Sequence, residues 1–317
     1  AALLAILTAA SPAEAVPAFA RKYQTSCQTC HVAYPKLNPF GQAFRLLGYH
    51  MPGETEQQVK QPEIPLGSDA YKRVWPDSVW PGAVPPNLPL SLAAEFLVQE
   101  RSTLEDGEVE KSRSDFLFPS EVALIAAGTS GDHISYFGEI AFKQTGEEGQ
   151  VENEVEVEHL DFRFIRPISN SMAFNAKIGS FQPEMVSTFD HARRLTIANY
   201  DSMFGVRTAN LGGAEGVGGG HGHGGGASIA LPEIATGFET YGVVKSRFLW
   251  AAGLVSGQGP GLETFDGNDR KDFYAKAEYK WGGLALDGSN ADSFAGSRKN
   301  WREKSFSVSV FAYAGDS

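Results

Sequence analysis

From residue 90 onward the chain reads in steps of two. Leu90, Leu92, Ala94, Phe96 and Val98 alternate with Ser91, Ala93, Glu95 and Gln99. Ile134, Tyr136, Gly138, Ile140 and Phe142 alternate with Ser135, Glu139, Ala141 and Lys143. Phe273, Ala275, Ala277, Tyr279 and Trp281 interleave with Tyr274, Lys276, Glu278 and Lys280, and Phe306, Val308, Val310 and Ala312 with Ser305, Ser307 and Ser309. Side chains on a strand point to opposite faces in turn, so this pattern predicts strands with one apolar and one polar face. The stretches 117–127, 155–165, 172–181, 229–241 and 244–255 read the same way, about nine segments in all, separated by Gly- and charge-rich loops. The fold class is mainly β.

Two architectures bury or expose such strands. A water-soluble sandwich hides the apolar face and uses strands near five or six residues. An outer-membrane barrel turns the apolar face to lipid, uses segments of about ten residues, and places aromatic residues near their ends. The segments here run to about that length. Aromatic residues cluster at Phe142, Phe181, Phe248, Trp250, Tyr279 and Trp281. Lys276, Glu278 and Lys280 on one face have no place in a dry sandwich core, though its outer surface would accept them. The pattern therefore favours a porin-like transmembrane antiparallel β-barrel over residues 89–317. An odd segment count, set against the even counts usual in bacterial barrels, predicts that the barrel continues beyond this chain.

The first ninety residues are of another kind. Ala1 to Ala10 is a short apolar run, and Ala13-Glu14-Ala15 is a small-residue cleavage site, so 1–15 reads as the remnant of a signal peptide. It lacks a methionine and a basic start, which predicts a leader longer than the part seen here. Residues 52–88 are Pro-rich: eight of the chain's seventeen prolines fall between Pro52 and Pro89, predicting an extended, semi-stiff linker. Between them, 16–51 is too short to hold a core without a staple.

That staple is legible at Ser26-Cys27-Gln28-Thr29-Cys30-His31. C-x-x-C-H is the attachment signature of a c-type haem, with Cys27 and Cys30 as thioether donors and His31 as proximal iron ligand. These are the only two cysteines among 317 residues. A structural zinc site would need two further ligands, and only His50 is near. A thioredoxin-like pair would need a βαβ context that is missing. Asn38-Pro39 starts a helix as N-cap and first helical residue, and Gly48 ends it. Phe40, Phe44 and Leu47 share one of its faces, suited to pack on a porphyrin. His50 and Met51 follow as candidates for the distal iron ligand; methionine would raise the potential and histidine lower it.

Charge narrows the partners. A net charge of −11 argues against nucleic acid. No apolar run reaches membrane-helix length, so any crossing is by strands. Two loops offer weaker chemistry. His221 and His223 lie in a Gly-rich stretch that reads as a plain loop, since two imidazoles fall short of an ordered metal site. The run Glu147, Glu148, Glu152, Glu154, Glu156 and Glu158 could gather divalent ions but reads first as a solvated loop entering a strand.

Pro17 to Lys22, Cys27 to His31, Pro35-Lys36-Leu37, Phe40-Gly41 and Gly48-Tyr49 resemble the fused outer-membrane monohaem cytochrome c–porin family of iron-oxidising bacteria. The resemblance is specific in the haem segment and only one of character in the barrel half. It implies a minimal monohaem cytochrome c segment joined to a barrel of about sixteen strands. It further implies one covalent haem c and a cell outer membrane location. The implied function is electron transfer from extracellular Fe(II), or another extracellular redox partner, to a periplasmic carrier such as a soluble cytochrome c. Electron flow could equally run outward, to an extracellular acceptor, and two other readings remain: a solute porin with an accessory cytochrome segment, and a soluble periplasmic cytochrome with a β-sandwich domain. No nucleophile–base arrangement or other enzymatic constellation stands out.

Overall fold

The computed structural model describes residues 18–23, 25–33, 36–52, 64–65, 73–76, 83–84, 89–105, 108–145, 152–184, 206–207, 228–229, 234–256, 271–291 and 303–315. The expected leader 1–15, most of the expected linker 52–88 and the Gly-rich stretch holding His221 and His223 lie outside the described residues.

The alternating segments form one antiparallel sheet of nine strands. In chain order they are β1 (Leu90–Glu105), β2 (Glu108–Ser130), β3 (Ile134–Thr145), β4 (Glu152–Phe164) and β5 (Asn175–Phe181). They continue with β6 (Ala235–Val244), β7 (Phe248–Ser256), β8 (Lys271–Gly282) and β9 (Ser305–Ala314). Each pairs with the strand next in sequence, so the sheet is an uninterrupted up-and-down meander. Among the described residues β1 and β9 are its two edges and do not pair with each other.

All nine segments expected from alternation are strands, with shifted ends. The sixth runs on to Val244, because the turn that follows uses Lys245 and Ser246 at φ 50 and 60. Neither is a glycine, so residue type did not mark the turn. The first two are longer than expected. Their pairing continues from Leu97↔Leu117 to Glu105↔Glu108, whereas β2 meets β3 only between Glu121 and Ser130. The first hairpin therefore projects beyond its neighbours.

The two faces are inverted relative to a soluble protein. Phe238 is 47% exposed and Glu239, the next residue, is fully buried. The same holds along the sheet. Leu92, Phe118, Phe142, Phe162, Leu254, Phe273 and Val308 are exposed, and Ser135, Asp161, Arg163, Asn175, Lys177, Asp272 and Lys276 are buried. Burying charge costs several kcal/mol per ion unless it is paired, and here it is paired. Lys177 reaches Glu239 at 2.7 Å, Lys276 reaches Glu278 at 2.9 Å, and Arg163 reaches Asp161 at 2.6 Å.

Two short helices lie in the N-terminal segment, α1 (Ala18–Lys22) and α2 (Pro39–Leu46). Alternation and capping had shown the second but not the first, which is little more than one turn. Among the described residues no helix is long and apolar enough to cross a membrane.

Candidate functional site

The C-x-x-C-H stretch is built from a tight turn and a clamp. Cys27–Thr29 forms a single 3₁₀ turn closed by the Cys30 N–H donating to the Cys27 carbonyl at 3.2 Å. His31 opens a short strand whose partner is Leu37, so the chain doubles back and delivers Asn38 beside the turn. Asn38 caps α2 as its residue type predicts, its Oδ1 accepting from the Gly41 N–H at 2.9 Å. It also does what the sequence did not show. Its Nδ2 donates to the carbonyls of Gln28 at 3.2 Å and Thr29 at 2.9 Å, and its N–H donates to the Cys30 carbonyl at 2.8 Å. One nearly fully buried side chain thus ties the two-cysteine turn to the helix.

Gly41 completes the clamp. A Cβ there would lie 2.2 Å from the Cys30 carbonyl oxygen, so the helix can approach the turn this closely only at a glycine. Cys27 and Cys30 are not joined in a disulfide and are half-buried, and His31 is half-buried too. Burial, and then the neighbouring Cys27, push the Cys30 thiol up to about 12. The donor set of two adjacent thiols and one imidazole on a fixed turn fits covalent haem attachment. It falls short of the four ligands of a structural zinc site.

The helix face expected against a porphyrin is used differently. Phe44 packs with Phe19 at 5.2 Å, Tyr23 at 5.6 Å and Tyr49 at 5.9 Å between ring centroids. Leu46 and Leu47 join Ile165, Met172, Tyr241, Val243, Leu249, Ala251 and Leu286 of the sheet and its connections in one buried cluster. The expectation that so short a segment has no core of its own overlooked the sheet, which supplies one. Burying side chains of this size contributes roughly 1.5–3 kcal/mol each. Phe40 remains half-buried.

The segment is seated on the polar face of the sheet by polar contacts as well. Tyr241 donates to the Leu46 carbonyl at 2.9 Å, and Arg163 donates to the Arg45 carbonyl at 3.3 Å. Arg163 also lies over the Tyr49 ring, 4.4 Å from its centroid. Arg45 forms an ion pair with Glu184. Burial alone would raise the Glu184 carboxyl, but Arg45 and then Lys177 outweigh it and hold the group well below the usual carboxylate range. Nearer the N-terminus, Arg21 donates to the Leu90 carbonyl, Lys22 to Thr129, and the Ala18 N–H to Ser91 at 2.7 Å.

Comparison with known proteins places nothing beside this chain. No family model matches it, and no curated protein and no solved structure is similar to it. The site must be read from its own geometry.

After α2 the chain reverses at Gly48, φ 62, and Tyr49, φ 63. A Cβ at Gly48 would meet Ile165 at 2.5 Å, and Tyr49 is held in its left-handed conformation by the ring stack on Phe19 at 4.8 Å. Burial pushes the Tyr49 hydroxyl up to about 12. The reversal separates the two distal-ligand candidates. His50 is buried, with Nδ1 2.9 Å from the Leu47 carbonyl and Nε2 2.9 Å from the Gly131 carbonyl, so both ring nitrogens face backbone oxygens. Met51 is half-buried.

Of the acidic run, Glu147 and Glu148 lie outside the described residues. Glu156 and Glu158 both pair with Lys143, at 2.6 and 2.7 Å. Glu121, Glu139 and Glu158 bring carboxylate oxygens within 4.8 Å of one another on the polar face. Only Glu158 had been singled out in the sequence. The other two lie two strands and one strand away, and the pairing register that unites them is not visible in a linear chain.

Proposed function

We propose that this chain is an outer-membrane electron-transfer protein. Cys27 and Cys30 hold a c-type haem, His31 is its proximal ligand, and the sheet is part of a porin-like barrel whose exposed apolar face meets lipid. The observation that carries the reading is the inverted sheet with the C-x-x-C-H segment seated on its polar side. A row of exposed Phe, Leu, Ile and Val on nine paired strands is unstable in water and stable in hydrocarbon. The polar side then faces a lumen, where the paired charges belong.

A haem on this segment supplies a one-electron iron couple. The chain's own residues hold that couple in an otherwise insulating layer. Asn38 and Gly41 fix the turn that bears the two cysteines, and Arg45, Arg163, Tyr241 and His50 fix the segment to the strands. Of the two distal candidates Met51 fits better, because His50 already spends both ring nitrogens on backbone oxygens. A soft thioether favours reduced iron and lifts the potential, which suits acceptance of electrons from extracellular Fe(II). When bound, the haem would supply the one-electron couple through which an electron from Fe(II) could reach a periplasmic carrier such as a soluble cytochrome c.

An open solute pore is the weaker reading, because the polar face carries residues 18–52 and a dense set of paired buried charges. A soluble cytochrome with a sandwich domain is weaker still, because the apolar face of the sheet is the exposed one. The test is expression with c-type maturation, followed by addition of Fe(II) to the detergent-extracted protein. The haem absorption bands shift to the reduced form within the mixing time if the reading holds. A covalent haem that Fe(II) leaves oxidised overturns iron as donor.

A further inference from the structure

Among the described residues, four that are not glycine take a left-handed φ: Tyr49, Arg166, Lys245 and Ser246. The last three are polar residues in turns beyond strand ends, and none of them is buried. Tyr49 alone is buried, 6% exposed, at φ 63. For a bulky residue that conformation is an outlier, kept only where the surroundings over-determine it, and such outliers gather at functional sites. A glycine would make the same reversal without strain. The tyrosine is there for its ring.

That ring joins four elements. It stacks on Phe19 of α1 at 4.8 Å and meets Phe44 of α2 and Phe137 of β3, both at 5.9 Å between centroids. The Arg163 guanidinium of β4 lies over it at 4.4 Å. The Tyr49 carbonyl accepts from the Tyr23 hydroxyl at 2.7 Å, and its N–H donates to the Phe44 carbonyl at 2.9 Å. Its neighbours are held as closely, Gly48 against Ile165 and Ser135, and His50 between the carbonyls of Leu47 and Gly131. Residues 48–50 are therefore a bracket fixed at every residue, and Met51 is the first residue past it.

Beyond the bracket the chain turns back alongside α2. A Cβ at Gly288 would lie 2.6 Å from Pro52 and 3.5 Å from Ala43, so residue 52 runs beside the middle of that helix. The start of α2 is in turn clamped to the two-cysteine turn through Asn38 and Gly41. Met51 thus leaves from a fixed point on the same unit that carries Cys27, Cys30 and His31.

We propose that Tyr49 is the positioning residue for the distal iron ligand, and that the sheet sets the iron's axial ligation through it. This rests on the haem reading above, with Met51 as distal ligand, and adds the residue that holds that ligand in place. A methionine side chain has three rotatable bonds, so how well its thioether is held depends on how little the backbone behind it moves. Loosening the bracket lowers the fraction of thioether-bound iron, and with it the potential, because the soft ligand favours the reduced state. Phe137 and Arg163 bring that dependence from the strands. The segment keeps its potential only while it is seated on the sheet.

The test uses the haem-loaded, detergent-extracted full chain and compares Tyr49→Gly, Tyr49→Phe and Met51→Ala with the parent. It reads covalent haem by peroxidase staining, the weak sulfur-to-iron band at the red end of the oxidised spectrum, and the reduction potential. Tyr49→Gly relieves the backbone and removes the ring. The proposal expects it to stain fully, to lose the band, and to lower the reduction equilibrium constant roughly ten-fold or more, about 59 mV for one electron. Tyr49→Phe keeps the ring and should match the parent; loss of the band there too moves the effect to the hydroxyl and overturns the ring as the clamp. A Tyr49→Gly chain with the parent's band and potential overturns the positioning role and leaves the haem reading intact. If Tyr49→Gly carries no haem, Phe19→Leu takes its place, since it removes only the stacked ring: a band at least halved at full staining supports the proposal, and an unchanged band overturns it. A parent without the band, or a Met51→Ala chain that keeps it, removes Met51 as ligand and overturns the proposal. An unstained parent overturns the haem reading itself.

Discussion

Residues 18–52 and the sheet beneath them sort their side chains by opposite rules. In the segment, Ala43, Phe44, Leu46 and Leu47 are buried, while Ser26, Gln28 and Val32 stand at the surface, close to the usual arrangement in water. In the sheet, Phe142, Phe162, Phe238 and Val308 are outside, and Lys177, Glu239 and Lys276 are inside. Under the outer-membrane reading proposed above, the two regions would meet different solvents: water excludes the apolar side chains of the segment, and lipid would accept those of the strands. The polar face of the sheet is then the single surface on which both rules agree, and that is where the segment rests.

The contrast can be broken most severely at the joint. Glu184→Ala leaves Arg45 buried without its partner, and breaking a buried pair costs about 3–5 kcal/mol. The segment should detach, read as protease cleavage within 18–52 while the strands stay intact. The charge on Glu184 also gives the joint a pH dependence. Its carboxyl is lowered in the folded state from the ordinary value of 4.5, so its contribution is complete above that range and is lost as pH falls below it. Docking should be flat between neutral pH and about 5 and weaken below about 4.5, and Glu184→Gln should flatten that decline.

Next in size is a charge on the lipid side. Phe162→Arg on β4 should cost about 2–4 kcal/mol if the residue lies near the midplane. The readout is loss of the heat-modifiable, detergent-extracted form. Phe162→Leu should leave it unchanged, and a silent Phe162→Arg would mean the face does not meet lipid. Gly48→Ala forces a side chain into a left-handed φ and against Ile165, for a loss of roughly 1–2 kcal/mol from the backbone alone. The smallest effect is at Asn38→Ala, which removes a cap and two clamping hydrogen bonds for about 1–2 kcal/mol. It should lower the midpoint of haem-band thermal loss while leaving membrane extraction unchanged.

Much of the fold was legible because period two is a local signal. Nine alternating segments became nine strands, and Asn38-Pro39 became a capped helix start. Their ends were not legible where the cause is non-local or not residue-specific. Lys245 and Ser246 turn at positive φ without a glycine, and β1 and β2 run on through charged residues that composition assigns to loops. The dipeptide Asp106-Gly107 was an available signal for their hairpin. In the site, the Cys27–His31 motif and the helix cap could be read directly. The second role of Asn38, the seating of Leu46 on Tyr241, and the meeting of Glu121, Glu139 and Glu158 depend on pairing across more than seventeen residues of sequence or on a fold-back, and no window along the chain contains them.

The central claim is that one chain carries a covalent haem on an outer-membrane sheet. The most direct measurement is haem-linked peroxidase staining on a denaturing gel of fractionated cells that express the chain with c-type maturation. The account predicts a stained band at the chain's mass in the outer-membrane fraction, released only by detergent and absent in Cys27→Ala with Cys30→Ala. Staining that survives loss of both thiols, or an unstained chain in that membrane fraction, would contradict it.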